Sequence, residues 1–485
     1  MNSVNVNLIK SDQFGTAFTI WTSVMGLFLG FLIAVLPWWL VIGFCLGTAG
    51  LVIMARYPFW GIIFALALVF EAIPRAGQVK LSVVSPSDLV ILYLTMIVFV
   101  QVIINGINIR EKIGRLWWPL IYLFSCIVIS LCYVKFFAPN KMAMAEGRAF
   151  VAWLLFPIIL VVVNSKDKFK WLLRAVISIS LIVSLWVILQ SMLNIHIMSL
   201  RVEELDSKKM LGITRSIAGG GTYLIIFSLI YFINRLMEKR ISKLLTIPAI
   251  FLLVIALAVT FGRGVWMATG VSIILSAYLF KGRRGAVFAL MVAAFSVALL
   301  LSVLSVIKPQ FATAIYERAT GVVTEVDRGK SFNWRIIEDS YAIDKIEKHP
   351  FFGVGIGGAY KNTVSTSFIT NPGTFADETR FIHNGYLFFP LKMGLFAALC
   401  PFAIIFGFVL TYRDTLADPF ADRAFLAAVG GAFLAPVITS VTQPEWSNIS
   451  GITAFAIFMS LLVLYRIHGG VLDTSLSTKD MSRSK

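Results

Sequence analysis

Residues 244–307 have the sequence LLTIPAIFLLVIALAVTFGRGVWMATGVSIILSAYLFKGRRGAVFALMVAAFSVALLLSVLSVI, and this stretch decides the fold class. It contains three apolar runs, separated only by the short polar turns FGRG at 261–264 and KGRRG at 281–285. A helix needs about 20 apolar residues to cross the hydrocarbon core of a bilayer. The stretch therefore predicts three consecutive transmembrane helices.

Similar runs recur along the rest of the chain. Of its 485 residues, 58% are hydrophobic and 14% are charged, and the mean hydropathy is +0.86. Soluble domains have about 25% charged residues, so the composition excludes a soluble enzyme, a disordered chain and a fibrous repeat. We predict an all-α polytopic membrane protein with 12–14 transmembrane helices. The candidate spans are residues 17–36, 38–54, 58–73, 88–106, 116–134, 149–164, 171–192, 219–234, 244–261, 265–280, 286–307, 385–411, 424–441 and 449–466.

The distribution of Lys and Arg predicts the orientation of these spans. With the N-terminus in the cytoplasm, the inner loops and their flanks hold 22 Lys and Arg residues, and the short outer loops hold 10. Inner loops carry the excess of positive charge in membrane proteins, so both termini are predicted to be cytoplasmic. The organisation is then helices 1–11 over 1–307, a long periplasmic loop over 308–384, helices 12–14 over 385–466, and a disordered cytoplasmic tail over 467–485.

The long outer loop contains a predicted helix. Trp334, Ile337, Tyr341 and Ile346 recur roughly at helical spacing, with charged residues between them, and Pro350 ends the pattern. The helix either lies on the membrane surface or over the bundle, or it covers an active site. The sequence GVGIGG at 353–358 follows it and matches GxGxxG, but the strand that a dinucleotide-binding motif requires is missing. We interpret this motif as a flexible turn.

One of the four histidines has a position that favours catalysis. His383 lies where the polar loop re-enters the membrane, and a histidine is suited to general-base chemistry at neutral pH. Asp377 and Glu378 are near enough in sequence to orient its ring. With Glu445, they are also the alternative bases. The structural interpretation of His383 is an interfacial residue that caps the next span. The histidines and carboxylates do not form a recognisable metal motif, so no metal or other cofactor is predicted.

Four arginines on the outer side form a second group: Arg215, Arg263, Arg335 and Arg380. Arginine near the membrane is energetically costly and tends to mark function. Its planar guanidinium can bind two oxygens of a phosphate or pyrophosphate at once. Contact with lipid headgroups would explain the position of any one of these arginines. It explains less well why four of them lie on the same side of the membrane as His383.

The order of these motifs resembles the O-antigen ligase/polymerase family. The resemblance rests on RGVW at 263–266, on the stretch from Arg335 to PFFGVGIG at 350–357, and on HNGYL at 383–387 followed by Gly394 and Leu395. TRS at 214–216 is similar to the family pattern as well, and the resemblance covers about residues 211–400. Gly262 departs from it, because a serine often precedes the Arg-Gly pair.

The resemblance implies a membrane glycosyltransferase of the GT-C type that works without a metal. Its donor would be a glycan on undecaprenyl pyrophosphate at the periplasmic face of the inner membrane. The arginines would bind the pyrophosphate, His383 would activate the acceptor hydroxyl, and Asn384 and Tyr386 would support the site. A ligase transfers the glycan to the lipid A core, whereas a polymerase transfers it to the end sugar of another lipid-linked repeat unit.

Three functions follow from these expectations. A polymerase of O-antigen or exopolysaccharide is slightly favoured over a ligase, because fourteen spans exceed the dozen common among ligases. A chain-length regulator would be a partner of a polymerase, and nucleic acid is not expected. The third function is a flippase for the same lipid-linked sugar. The sequence shows no repeated halves, and transporters rarely need an outer loop of this length, so the transporter is the weakest of the three.

Overall fold

The computed structural model describes residues 38–73, 84–193, 202–204, 214–216, 219–238, 242–328, 330–361 and 380–468. Contacts divide the chain after Trp60 into two units. The first unit contributes helix α1 and the start of α2, and the second contains every later element. The helices are α1 (Trp38–Arg56), α2 (Pro58–Val69), α3 (Pro86–Asn105), α4 (Ile109–Ile113), α5 (Trp117–Phe136), α6 (Ala143–Gly147), α7 (Leu155–Val162), α8 (Lys166–Leu193), α9 (Gly221–Glu238), α10 (Lys243–Ala258), α11 (Arg263–Ile307), α12 (Pro309–Arg328), α13 (Lys330–Lys348), α14 (Gly385–Met393), α15 (Leu399–Leu416), α16 (Arg423–Thr439) and α17 (Ile449–His468).

The predicted fold class is confirmed. Every predicted span from 38–54 onward coincides with helical structure, and the span predicted at 17–36 lies outside the described residues. In the described part of the chain, seven helical stretches are long and apolar enough to cross a membrane: Pro86–Asn105, Ile109–Phe136, Ala143–Val162, Lys166–Leu193, Arg263–Val306, Leu395–Leu416 and Ile449–His468. Besides the helices, β1 (Val202–Glu204) and β2 (Thr214–Ser216) form a short antiparallel pair, which was not predicted.

Helix α11 spans 45 residues and consists of two helices joined at a kink. A straight helix of that length would be about 67 Å long, more than twice the thickness of the hydrocarbon core. Lys281 and Gly282 leave helical geometry, and Gly282 has φ +60°, which glycine adopts easily. The kink falls in the KGRRG turn that was predicted to separate two spans, so α11 contains both.

The centre of the second unit is built from α9, α16 and α17. Residues Gly451–Tyr465 of α17 are buried throughout, and α9 and α11 both pack against α16. Asn234 on α9 donates hydrogen bonds to Ser276 Oγ (3.1 Å) and to the carbonyl oxygen of Ala424 (3.0 Å), which join three helices. By contrast, α11 exposes large apolar residues such as Phe295, as expected for a helix that faces lipid.

The segment between α11 and α14 contains two helices where the sequence predicted one. Proline at 309 starts α12 directly after the break at Lys308, and Phe311, Ala314 and Ile315 of α12 are buried as it packs on α11. The predicted helix is α13, which ends at Lys348, two residues before Pro350, as expected. Helix α13 packs against α14, which agrees with the predicted placement over the bundle.

Candidate functional site

The site is built where the chain enters α14. Asn384 caps this helix, since its side-chain oxygen accepts hydrogen bonds from the backbone N–H groups of Tyr386 (3.1 Å) and Leu387 (3.2 Å). The amide nitrogen of the same side chain donates to Asp339 Oδ2 on α13 at 3.1 Å. One asparagine therefore fixes both the start of α14 and the position of the loop helix above it. His383, the residue before the cap, is held between the two helices.

The carboxylate that contacts His383 is Glu338. Its Oε2 lies 2.8 Å from His383 Nδ1 and accepts a hydrogen bond of 3.0 Å from the backbone N–H of the same residue. Its other oxygen, Oε1, lies 2.6 Å from Lys361 Nζ. Glu338 is 1% exposed, whereas the His383 side chain is 35% exposed. The ring is thus anchored from the buried side and accessible from the other.

The electrostatics of this cluster keep Glu338 ionised. Burial alone would raise the pKa of Glu338, but the hydrogen bonds and positive charges of His383 and Lys361 outweigh burial and lower the pKa to about 2. An ionised carboxylate accepts a hydrogen bond from a nitrogen that carries a hydrogen, so a neutral His383 carries its hydrogen on Nδ1. Its basic lone pair is then on Nε2. Burial also raises the pKa of the neighbouring Asp339.

Glu338 was not predicted to belong to the site. Of the apolar pattern predicted on α13, Ile346 is buried, whereas Ile337 and Tyr341 are 45% and 41% exposed. The buried residues are Glu338, Ala342 and Ile346, which follow one another at four-residue spacing. The sequence signal that could have identified Glu338 is this four-residue spacing, which is shifted by one residue from Ile337 and Tyr341. The predicted orienting carboxylates, Asp377 and Glu378, lie outside the described residues.

The glycine-rich turn is closely packed and not the flexible turn that was predicted. Gly353, Gly355 and Gly357 all have positive φ. A Cβ on Gly353 would collide with the carbonyl oxygen of Leu391 on α14, and one on Gly357 would lie 2.5 Å from the backbone nitrogen of Ala143. The glycines therefore allow the backbone to approach two helices at once. The turn follows α13, as the sequence indicated.

A buried ion pair holds the end of this turn. Lys392 on α14 is fully buried, donates a hydrogen bond to the carbonyl oxygen of Gly358 (2.7 Å) and lies 3.3 Å from Glu146 on α6. Glu146 in turn accepts a hydrogen bond from the backbone N–H of Gly357. Neither charged residue was predicted to take part in the site, and both fix the turn that leads from α13 to Lys361.

The turn before α11 brings Arg263 to the same end of the bundle. Gly262 caps α11 without a side chain, so the first N–H groups of the helix are not satisfied by a side-chain cap. A Cβ on Gly264 would lie 3.2 Å from Thr442 Oγ1, and the connection that contains Thr442 also contacts the start of α14, where Gly385 N–H donates to the Ser440 carbonyl oxygen (2.7 Å). One connection thus borders both Arg263 and His383.

The other predicted arginines are distributed as follows. Arg335 lies one turn before Glu338 on α13, and its charge acts on Asp339. Arg380 precedes His383 by three residues, and its Nε is buried with no hydrogen-bond partner among the described residues. Arg215 lies in β2, paired in register with Glu203. Arg318 on α12 was missed, and its Nε donates to the carbonyl oxygen of Phe261 (3.4 Å), next to Arg263.

Two further predicted residues, Tyr386 and Glu445, make contacts within the helical bundle. Tyr386 donates its hydroxyl hydrogen to the Val437 carbonyl oxygen (2.9 Å) and stacks on Phe402, so it secures α14 against the bundle. Glu445, the alternative base, is 4% exposed and accepts a hydrogen bond from Asn448 (3.0 Å), and burial raises its pKa. Within the described ranges, His, Cys, Asp and Glu form no group of three that could hold a metal ion.

Comparison with known proteins agrees with the family resemblance. The family model described as O-Antigen ligase matches residues 248–402. The matched segment includes α11, α12, α13 and α14, and therefore Arg263, Glu338, Lys361 and His383. It covers less than half of the chain and leaves Arg215 outside. No curated protein matches the chain.

Proposed function

We propose that this protein is a polysaccharide polymerase that transfers a glycan from undecaprenyl pyrophosphate to the end sugar of another lipid-linked repeat unit. The observation that supports it best is the His383–Glu338 pair, which presents an oriented imidazole at the end of the bundle within the segment that matches the O-antigen ligase model. We place this end at the periplasmic face of the inner membrane, with both termini cytoplasmic, on the basis of the Lys and Arg distribution.

The proposed reaction is a single displacement assisted by a general base. The acceptor hydroxyl gives its proton to His383 Nε2, and its oxygen forms a bond to the anomeric carbon of the donor glycan. The bond between that carbon and the pyrophosphate oxygen breaks, and the pyrophosphate leaves with the electron pair. Glu338 holds the ring by Nδ1 and stabilises the imidazolium that forms. The proton then passes from Nε2 to solvent.

The arginines provide the charge that the leaving group needs. Arg263 stands at the start of α11, and a helix start favours anions because its N–H groups point outward. Arg380, Arg335 and Arg215 complete the proposed pyrophosphate site. Because guanidinium groups can neutralise a pyrophosphate without a cation, we propose that no metal is required. Full activity in excess chelator is expected, and its loss would contradict this part of the proposal.

The ligase is the second candidate, because the matching family model carries that description. The two functions differ only in the acceptor. Purified protein in lipid is incubated with lipid-linked repeat units alone, and separately with repeat units plus lipid A core. Longer glycans in the first reaction support the polymerase. Transfer only in the second would replace it with the ligase, and no transfer in either would reject both.

A further inference from the structure

Lys361 is a buried cation that the mechanism above does not use. It is 7% exposed, and its Nζ lies 2.6 Å from Glu338 Oε1, on the carboxylate oxygen that does not contact His383. Glu338 thus binds two basic groups, one through each oxygen. A buried ion pair is costly unless its geometry is good, so the second cation calls for an explanation beyond the orientation of His383.

The chain holds Lys361 in place independently of Glu338. The preceding residue, Tyr360, donates its hydroxyl hydrogen to the Phe381 carbonyl oxygen at 2.9 Å, and its ring lies 5.4 Å from Lys361 Nζ. Two residues before Tyr360, Gly358 is fixed by the buried Lys392. Both anchors are contacts between the glycine-rich turn and the segment that carries His383. Lys361 is therefore presented to Glu338 by a stretch of backbone that is anchored twice just before it.

We propose that Lys361 is a positioning residue for the transfer reaction: it divides the charge of Glu338 between two partners, so that Glu338 holds His383 by Nδ1 while stabilising the protonated ring less than it would alone. This inference rests on the proposed function. A carboxylate that served His383 alone would stabilise the imidazolium more strongly and make the ring harder to deprotonate. A base must be deprotonated to act.

The charges around His383 fix the direction of the effect. Helix α13 contributes Glu338, Asp339 and Arg335, and the turn contributes Lys361 and Tyr360. In the segment of His383 itself, Arg380 lies three residues earlier, and its charge acts on Lys392. Removal of the Lys361 charge takes away a cation close to the ring while Glu338 stays. The Glu338–His383 pair then binds its proton more tightly, and the His383 titration moves to higher pH.

The test is a titration of His383 by nuclear magnetic resonance with ¹³C-labelled histidine. The chain has four histidines, and the His383→Asn variant assigns the signal. In Lys361→Met the midpoint is expected to rise by about 1 pH unit or more, and in Lys361→Gln, which can still hydrogen-bond to Glu338, it rises as well. Lys361→Arg keeps the wild-type midpoint. The control is Lys348→Met, which removes an exposed lysine that pairs with Asp344 on the same helix.

The outcomes separate this inference from the proposed function. The titration uses no substrate, so a shifted midpoint supports the role of Lys361 even where no transfer is detected. With active protein, the acidic limb of the rate profile of Lys361→Met moves to higher pH by the same amount, and activity recovers at alkaline pH. An unchanged midpoint in a folded Lys361→Met or Lys361→Gln variant overturns the inference, whatever the activity.

Discussion

His383 is the residue on which the chemistry depends, because its Nε2 is the proposed base. A positioned general base contributes about 10²–10⁴-fold to a rate. We expect His383→Ala to abolish detectable glycan transfer while folding and donor binding stay close to wild type, measured as turnover and lipid-linked donor binding at equal protein level. His349→Ala and His468→Ala are the matched controls and should be mild. Wild-type turnover in His383→Ala would leave the histidine as a cap only.

Glu338 gives a second prediction at this scale. In Glu338→Gln the side chain keeps its size but loses its charge, so His383 is no longer held with its hydrogen on Nδ1. We expect turnover to fall by about 10²–10⁴-fold, with a smaller change in donor binding.

Since the pKa of Glu338 is about 2 in the folded protein, Glu338 stays ionised throughout the neutral range. The stability that ionised Glu338 contributes is present above pH 4.5 and lost as the pH falls toward 2.

Arg263 gives the third prediction. A bidentate contact with pyrophosphate needs the planar guanidinium, which lysine cannot replace. Arg263→Lys should therefore lose most activity, with weaker donor binding at normal expression. Arg283→Lys, in the KGRRG turn at the kink of α11, is the control and should be neutral. If Arg263→Lys is fully active, charge alone suffices and the contact is with lipid headgroups.

At the scale of elements, the glycine-rich turn and α14 are locked together by backbone contacts. Val354 N–H donates to the Leu391 carbonyl oxygen, and Leu395 N–H donates to that of Pro350, each at 2.8 Å. Gly394 ends α14 with φ +89° and ψ 169°, a conformation almost restricted to glycine. A Cβ there would also overlap the carbonyl oxygen of Phe351. These contacts set the distance between α13 and α14, and with it the Glu338–His383 contact.

Gly394→Ala is therefore expected to destabilise the protein by about 2 kcal/mol or more, and to reduce turnover through misplacement of α13. The melting temperature in detergent measures the first effect. Gly270→Ala is the matched control, because a Cβ at this position on α11 would meet nothing within 4 Å, and alanine favours a helix over glycine. Equal melting temperatures for the two variants would show that the turn tolerates a side chain.

The same elements show what the sequence could and could not predict. Hydropathy located the helices because a bilayer imposes their length, and Pro350 located the end of α13 because proline interrupts a helix. Glu338, the partner of His383, was not predicted because it lies 45 residues away in the chain. On α13 the apolar pattern indicated the helix but not its buried face, which carries Glu338 together with Ile346, while Ile337 and Tyr341 are exposed. Arg318 and Lys361 escaped for the same reason, since only tertiary packing brings them to the site.

At the scale of the whole molecule, the orientation in the membrane remains a prediction. The excess of Lys and Arg on the inner side places residues 308–384 in the periplasm. A reporter that is active only after export, fused near Gly373, should be active. If a reporter that works only in the cytoplasm is active at this position, the predicted orientation is reversed. The site would then lie on the side of the membrane opposite to the proposed donor.

The ion cluster at Glu338 has a consequence for biogenesis. Its members come from three separate parts of the chain: α13 supplies the anion, the glycine-rich turn supplies Lys361, and His383 arrives last, just before α14 inserts. A nascent chain that ends before His383 holds an incomplete cluster, and an incompletely paired charge is costly to bury. We therefore expect the contact between α13 and the segment that leads into α14 to form only once His383 has been synthesised. We expect the complete cluster, and with it the proposed transfer activity, to form late in synthesis.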